Sequence, residues 1–266
     1  MVSLHFGSHT HVGRVRAVNE DSFLAVPPVF VVADGMGGHH GGDMASRLAV
    51  EEFAQLGDAS YDAHAGAEAI AGALRESQRR IVDFGRGGPA QSSPGTTVVA
   101  ALLVEEPEGS QWLLTNLGDS RIYKMSGDSL EQVSVDHSLV QELVDAGTIT
   151  AEDAAHHPER HVVTRALGGS VVSEADFFLL PVSAAPRLLL CSDGVNGMLS
   201  DAEMSRILLG APDPRDAADQ LVAAAVEAGG RDNATAVVVD VMGLSEDDVR
   251  AGQHSISLEE KLGALP

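Results

Sequence analysis

Five aspartates, Asp21, Asp34, Asp119, Asp193 and Asp232, each stand at the end of a predicted strand. Strands of one sheet can bring such ends together, and carboxylates that meet repel one another unless cations neutralise them. Their convergence implies hard divalent metals with oxygen ligands, Mg²⁺ or Mn²⁺. A pair of such ions ~3.5–4 Å apart acidifies a bridging water and stabilises in-line displacement at phosphorus. Arg16 adds a guanidinium that can hold two phosphate oxygens at once. Glu20 and Asp21, just behind it, are further carboxylates for a metal shell.

Each piece alone has a plainer reading. Arg16 to Asp21 could be a charged turn, Asp119 a turn former, and an isolated Asp-Gly an exposed bend. The loop after Asp34 fails the dinucleotide fingerprint at His40 and lacks the lysine of a phosphate-binding P-loop. Repetition favours the metal reading. Asp34-Gly35 and Asp193-Gly194 both close apolar runs, which random turns do less often.

The apolar run Val29 to Ala33 fits a buried strand, and Gly35, Gly37 and Gly38 let the backbone approach a ligand closely. A helix starts near Gly42-Asp43, with Asp43 in a cap position, and a second covers Ala63 to Val82 before a Gly/Ser/Pro loop over Phe84 to Pro94. Met1 to Phe6, Val12 to Val15 and Phe23 to Val26 read as short strands. Thr96 to Val104 and Gln111 to Asn116 read as core strands. Leu117 to Arg121 reads as the bend of a hairpin whose partner strand is Ile122 to Met125. From Val135 to Gly169 the strand pattern lapses into two short helices, Leu139 to Ala146 and Ala151 to His156, as in a lid. His156, His157 and His161 lie there without a completing ligand, so they are not read as a metal site. Strands return at Phe177 to Leu180, Arg187 to Leu190 and Ala234 to Val241, with a helix over Asp216 to Ala228 stopped by Gly229-Gly230.

The 266 residues suit one large domain or two small ones, and the net charge of −22 argues against nucleic acid or an anionic membrane as partner. Cys191, the lone cysteine, sits in an apolar run and reads as a core residue in a reducing compartment. With no secretion signal and no apolar run near the ~20 residues of a membrane span, the expectation is a soluble, cytoplasmic protein. Met242 to Pro266 reads as an acidic, partly disordered tail, in which Ile256, Leu258, Leu262 and Leu265 offer one docking turn.

The ordered series Arg16-x-x-Asn19-Glu20-Asp21, Asp34-Gly35-Met36-Gly37-Gly38-His39, Gly118-Asp119-Ser120-Arg121, Ser192-Asp193-Gly194 and Asp232-Asn233 resembles the metal-dependent protein phosphatases, the type 2C serine/threonine phosphatases, in their compact bacterial form. Gly95-Thr96-Thr97, Asp136-His137-Ser138 and Thr164 to Gly168 agree, and the resemblance covers residues 1 to 241. It implies an α+β fold, a four-layer α-β-β-α sandwich with two central antiparallel sheets, and a mobile flap at about 135–169. It further implies that Asp34 bridges two Mn²⁺ or Mg²⁺ ions and that the Gly35 carbonyl ligates one of them. Asp193 and Asp232 would complete the first ion's shell, and Glu20 and Asp21 would act mostly through waters. Asp119 with Asp193 would hold a weaker third ion, and Arg16 would grip the substrate phosphate. The implied activity is hydrolysis of phosphoserine and phosphothreonine in proteins by a metal-bridging hydroxide. The substrates would be those of a serine/threonine kinase, and the enzyme a monomer.

Three departures stand out. Thr10-His11-Val12-Gly13 carries a histidine where members commonly have an aspartate, and Met36 occupies the place of a histidine proposed as general acid in eukaryotic relatives. His39 or His40, or a metal-bound water, could take that role. The chain also ends soon after the last motif, without the membrane anchor of some relatives. Two rivals are a non-catalytic member that keeps the sandwich as a docking module, and the branch that acts on anti-anti-sigma factors.

Overall fold

A computed structural model describes residues 2–37, 41–87, 93–169 and 173–244, with a backbone strand at 256–257. The first strands are β1 (Ser3–His11), β2 (Ser22–Val26), β3 (Val29–Ala33) and the short β4 (Gly35–Met36), followed by helices α1 (Gly42–Ala54) and α2 (Ala63–Gly87). Next come β5 (Gly95–Thr96), β6 (Val98–Glu106), β7 (Gly109–Leu117), β8 (Arg121–Ser126) and β9 (Ser129–Gln132). Short helices α3 (Leu139–Asp145) and α4 (Ala151–His156) precede β10 (Asp176–Pro181) and β11 (Arg187–Cys191). Helices α5 (Asp193–Asn196), α6 (Asp201–Gly210) and α7 (Pro214–Glu227) lead to β12 (Ala234–Met242), and β13 (Ile256–Ser257) closes the order.

One sheet runs β1-β12-β11-β8-β9 and the other β13-β10-β7-β6-β3-β2, with antiparallel pairing throughout, while β4 and β5 form a separate ribbon. The expected four layers follow from period two within strands buried on both faces. In β3, Phe30 and Val32 face the other sheet, while Val29 and Val31 join the core under α1 and α2. In β12, Val237 and Val239 point between the sheets, and Ala236 and Val238 point to the layer of α5, α6 and α7. Such strands must read as unbroken apolar runs, as they do. Phe30 sits edge-on to both Phe6 and Trp112, with centroids 5.5 and 6.1 Å away. Phe30→Ala should therefore cost about 3–5 kcal/mol, read as a drop in the urea midpoint at unchanged slope; a loss under about 1 kcal/mol would contradict this packing.

Several expectations need correction. Leu117 to Arg121 is not a hairpin bend: β7 and β8 belong to different sheets, and the chain crosses between them at Gly118 to Ser120. Gly118 has φ +121°, and a methyl there would lie 2.5 Å from the Thr97 side chain, so glycine is required at the crossing. Met1 to Phe6 and Val12 to Val15 are not two strands. The strand β1 runs unbroken to His11 because β12 pairs with it along its whole length. Helix α2 continues past Val82 through Phe84 and Gly85 to Gly87, since Ile81 anchors its last turns in the core. The cap of α1 is Gly41, and Asp43 lies in its first turn, where negative charge suits the helix dipole. Helix α6, with its Ser200–Glu203 capping box, was not anticipated.

Gly38, His39 and His40 lie outside the described residues, as does most of the tail beyond Leu244. Within the tail, Ile256–Ser257 adds two residues to the edge of β10. Among the described residues no helix is long and apolar enough to cross a membrane.

Candidate active site

Five acids gather at one end of the sandwich because the strands that carry them all start or stop there. Asp21 precedes β2, Asp34 follows β3, Asp119 lies in the β7–β8 crossing, Asp193 follows β11, and Asp232 precedes β12. Backbone contacts that admit only glycine hold these ends together. A methyl on Gly35 would lie 2.2 Å from the Gly42 carbonyl oxygen and 2.5 Å from that of Glu20. One on Gly194 would lie 1.8 Å from the Asn233 carbonyl, which presses the start of α5 onto the start of β12 and brings Asp193 beside Asp232.

The main chain of Asp34 is fixed on both sides. Its N–H donates to Thr97 Oγ1 at 3.1 Å, and its carbonyl accepts from Thr97 N and Thr96 Oγ1, each at 2.9 Å. Asp21 Oδ2 accepts from Ser192 Oγ at 2.8 Å and Thr235 Oγ1 at 2.6 Å. Asn233 ties down the loop ahead of Asp21: its Nδ2 donates to the Val12 and Val18 carbonyls, and its Oδ1 accepts from Glu20 N at 2.8 Å. Ser192 and Asn233 were visible in the sequence as neighbours of the acids, and Thr96 and Thr97 as the start of a strand. Their tasks were not, because each reaches across more than 20 residues of chain.

The acids share one electrostatic basin. Burial holds Asp34 well above the usual carboxylate range, and the charges of Asp21, Asp193, Asp119 and Asp232 add to it. Burial likewise lifts Asp21 to about 7 against its two hydroxyl donors, and lifts Asp119 to about 7 with help from Asp193 and Asp136. Asp193 is raised by burial and by Asp232, and a hydrogen bond with Asp34 opposes the rise. Asp232 binds Arg16 instead, with Nη2 donating to Oδ2 at 2.7 Å. Glu20 lies over the start of α1, where a methyl on Gly42 would sit 2.9 Å from its carboxyl carbon.

This donor set fits divalent ions. Asp21 Oδ1 and Asp193 Oδ1 are buried with no hydrogen-bond partner, and the remaining charges repel. Among the described residues, no three Asp, Glu, His or Cys side chains form a ready cage for one ion.

The insertion is bolted at both ends. Arg121 on β8 grips Asp136 through Nε and Nη2. His137, 5% exposed, accepts the Gly118 N–H at Nδ1 and meets Asp176 Oδ2 at Nε2, both at 3.1 Å. Gln78 of α2 accepts from Gly168 N and donates to the Gly169 carbonyl. Between these anchors His156 is exposed and His157 half-buried, while His161 lies within electrostatic range of Asp193. Cys191 is fully buried and its thiol is pushed up to about 12 by burial, so it is a core residue and no nucleophile.

A family model described as Protein phosphatase 2C matches residues 8–228. The serine/threonine phosphatase stp of Listeria innocua serovar 6a is 37% identical over 248 residues, which span 89% of this chain and 96% of that protein. The crystal structure of the Mycobacterium tuberculosis serine/threonine phosphatase PstP/Ppp superposes with a TM-score of 0.83 at 35% identity, covering 91% of this chain and all of that one. The catalytic domain of PstP in complex with two manganese ions gives a TM-score of 0.78 at 33% identity, with 91% of this chain and all of that one covered.

Proposed function

The chain belongs to the protein phosphatase 2C family and is a metal-dependent protein serine/threonine phosphatase, and on that premise we propose how its own residues divide the work. The five acids would hold two ions, Mn²⁺ or Mg²⁺, with a third and weaker site beside them. When bound, they supply an acidified water and positive charge for an in-line displacement at phosphorus. Asp34 and the Gly35 carbonyl would hold the pair. Asp193 and Asp232 would complete the shell of the first, Glu20 and Asp21 would act through water, and Asp119 with Asp193 would serve the third.

Thr96 and Thr97 keep Asp34 from turning away, and Ser192 and Thr235 hold Asp21 in one rotamer. Arg16 receives the substrate phosphate. One of its five N–H donors is committed to Asp232, which aims the guanidinium at the cluster and leaves the others for phosphate oxygens. The substrates are phosphoserine and phosphothreonine proteins made by a serine/threonine kinase, acted on by a cytoplasmic monomer whose 135–169 flap borders the cleft. The carrying observation is the convergence of five carboxylates on one basin with Arg16 in contact with Asp232.

Turnover of para-nitrophenyl phosphate with Mn²⁺, abolished by EDTA, is the test. Absence of turnover under both conditions would overturn the assignment. Arg16→Ala should raise KM by roughly tenfold or more, the loss of a charge-assisted pair of hydrogen bonds. An unchanged KM would remove Arg16 from phosphate binding.

A further inference from the structure

The same corner of the molecule carries two more guanidiniums that the phosphate chemistry does not use. The loop 12–16 lies directly on the loop 229–232: Arg14 N donates to the Gly230 carbonyl at 2.7 Å, and a methyl on Gly13 would meet the Asp232 carbonyl at 2.3 Å. Asn233 staples this loop at Val12 and Val18, so the lip is rigid. Against it lie two arginine stems. Arg14 Cγ would be 3.1 Å from a methyl on Gly230, and Arg231 Cγ 3.8 Å from one on Gly229. Both residues are exposed, and Val15 between Arg14 and Arg16 is 70% exposed.

The protein has 39 acidic residues against 17 basic ones, and most described arginines hold a carboxylate. Among the described residues neither Arg14 nor Arg231 has one within ion-pair reach, and Asp232, between them and the cluster, is taken by Arg16. Two exposed guanidiniums whose stems lie on neighbouring positions of one loop, neither with a carboxylate partner, can take an anion from outside on so acidic a protein. That anion must arrive with the phosphate that Arg16 binds, because Arg14 is two residues from Arg16 and Arg231 adjoins Asp232.

Resting on the phosphatase reading, we propose that Arg14 and Arg231 form an anion subsite on the lip of the cleft. It takes a second negative group of the phosphoprotein, an acidic side chain or a neighbouring phosphate, close in sequence to the residue being dephosphorylated. The overall charge of −22 repels acidic substrates at long range. The lip selects, among those that arrive, the ones with a second anion in the right place.

The test compares kcat/KM, with Mn²⁺ in low salt, on three phosphothreonine peptides. They differ only in the flank: alanines, glutamates, or one non-hydrolysable phosphonate. The wild-type enzyme should favour a charged flank by about three- to tenfold over alanine, and a higher ratio for the phosphonate than for glutamate would identify phosphate as the preferred group. In the double variant Arg14→Ala/Arg231→Ala the ratio should fall to one or below, and in Arg14→Glu/Arg231→Glu lower still. The ratio is the readout, so a change in absolute rate leaves it interpretable, and thermal midpoints confirm folding of each variant. Equal wild-type rates on all three peptides, or a ratio that survives in both variants, would overturn the subsite while leaving the phosphatase intact. No hydrolysis of any peptide would overturn both.

Discussion

Asp34→Asn is expected to lower kcat by at least about a hundred- to a thousandfold, measured on para-nitrophenyl phosphate at saturating Mn²⁺. Asparagine keeps the shape and the backbone bonds to Thr96 and Thr97, but removes the charge on which four neighbouring aspartates converge. The loss should fall on kcat rather than KM, since the substitution leaves the proposed phosphate grip of Arg16 in place. The same substitution removes repulsion in the absence of metal, so the thermal midpoint in EDTA should rise while activity vanishes. That opposition is diagnostic of a functional charge placed against stability. Near-normal kcat would take Asp34 out of the reaction, and a lowered midpoint in EDTA would deny that its charge is unfavourable in the fold.

The second large effect concerns pH and metal together. Asp21 and Asp119 move from 3.8 to about 7 in the metal-free fold, chiefly through burial. Below about pH 4 both are protonated whether folded or not, and they contribute no difference. Between about pH 4 and 7 the unfolded chain releases these protons while the fold retains them, so stability falls as pH rises through that window. Above it the full repulsion is present. Bound divalent ions reverse the sign by favouring the ionised carboxylates. The rise in thermal midpoint on adding Mn²⁺ should therefore be much larger at about pH 8 than at about pH 5. Exposed carboxylates held low by partners, such as Glu203 and Asp153, act equally with and without metal and cancel in this difference. A Mn²⁺ effect that is flat or shrinks as pH rises would contradict the cluster.

Much of this was legible in the chain itself. The strands buried on both faces, β3, β6, β11 and β12, announce themselves as apolar runs, and Asp34, Asp193 and Asp232 stand at the ends of three of them. What the sequence hid was the partner of each strand. The step from β7 to β8 looks like a hairpin because a Gly-Asp between two apolar segments has the same composition whether the chain folds back or crosses to another sheet. The crossing rests on the Gly118–Thr97 contact, a fact of tertiary packing. Likewise the 84–87 segment has loop composition but stays helical because the preceding turns are held in the core. His11, which departs from the family pattern, accepts the Gly13 N–H at Nδ1 at 2.9 Å, a task that a carboxylate oxygen could also perform. Its role in holding the Arg16 loop depends on a contact that no residue type announces.

The most direct test is a crystal grown with Mn²⁺ and measured for anomalous scattering at the manganese edge. The account predicts two strong peaks bridged by Asp34, one of them also touching Asp193 and Asp232. A peak lying away from Asp34, or a single ion with Asp232 still bound only to Arg16, would contradict it.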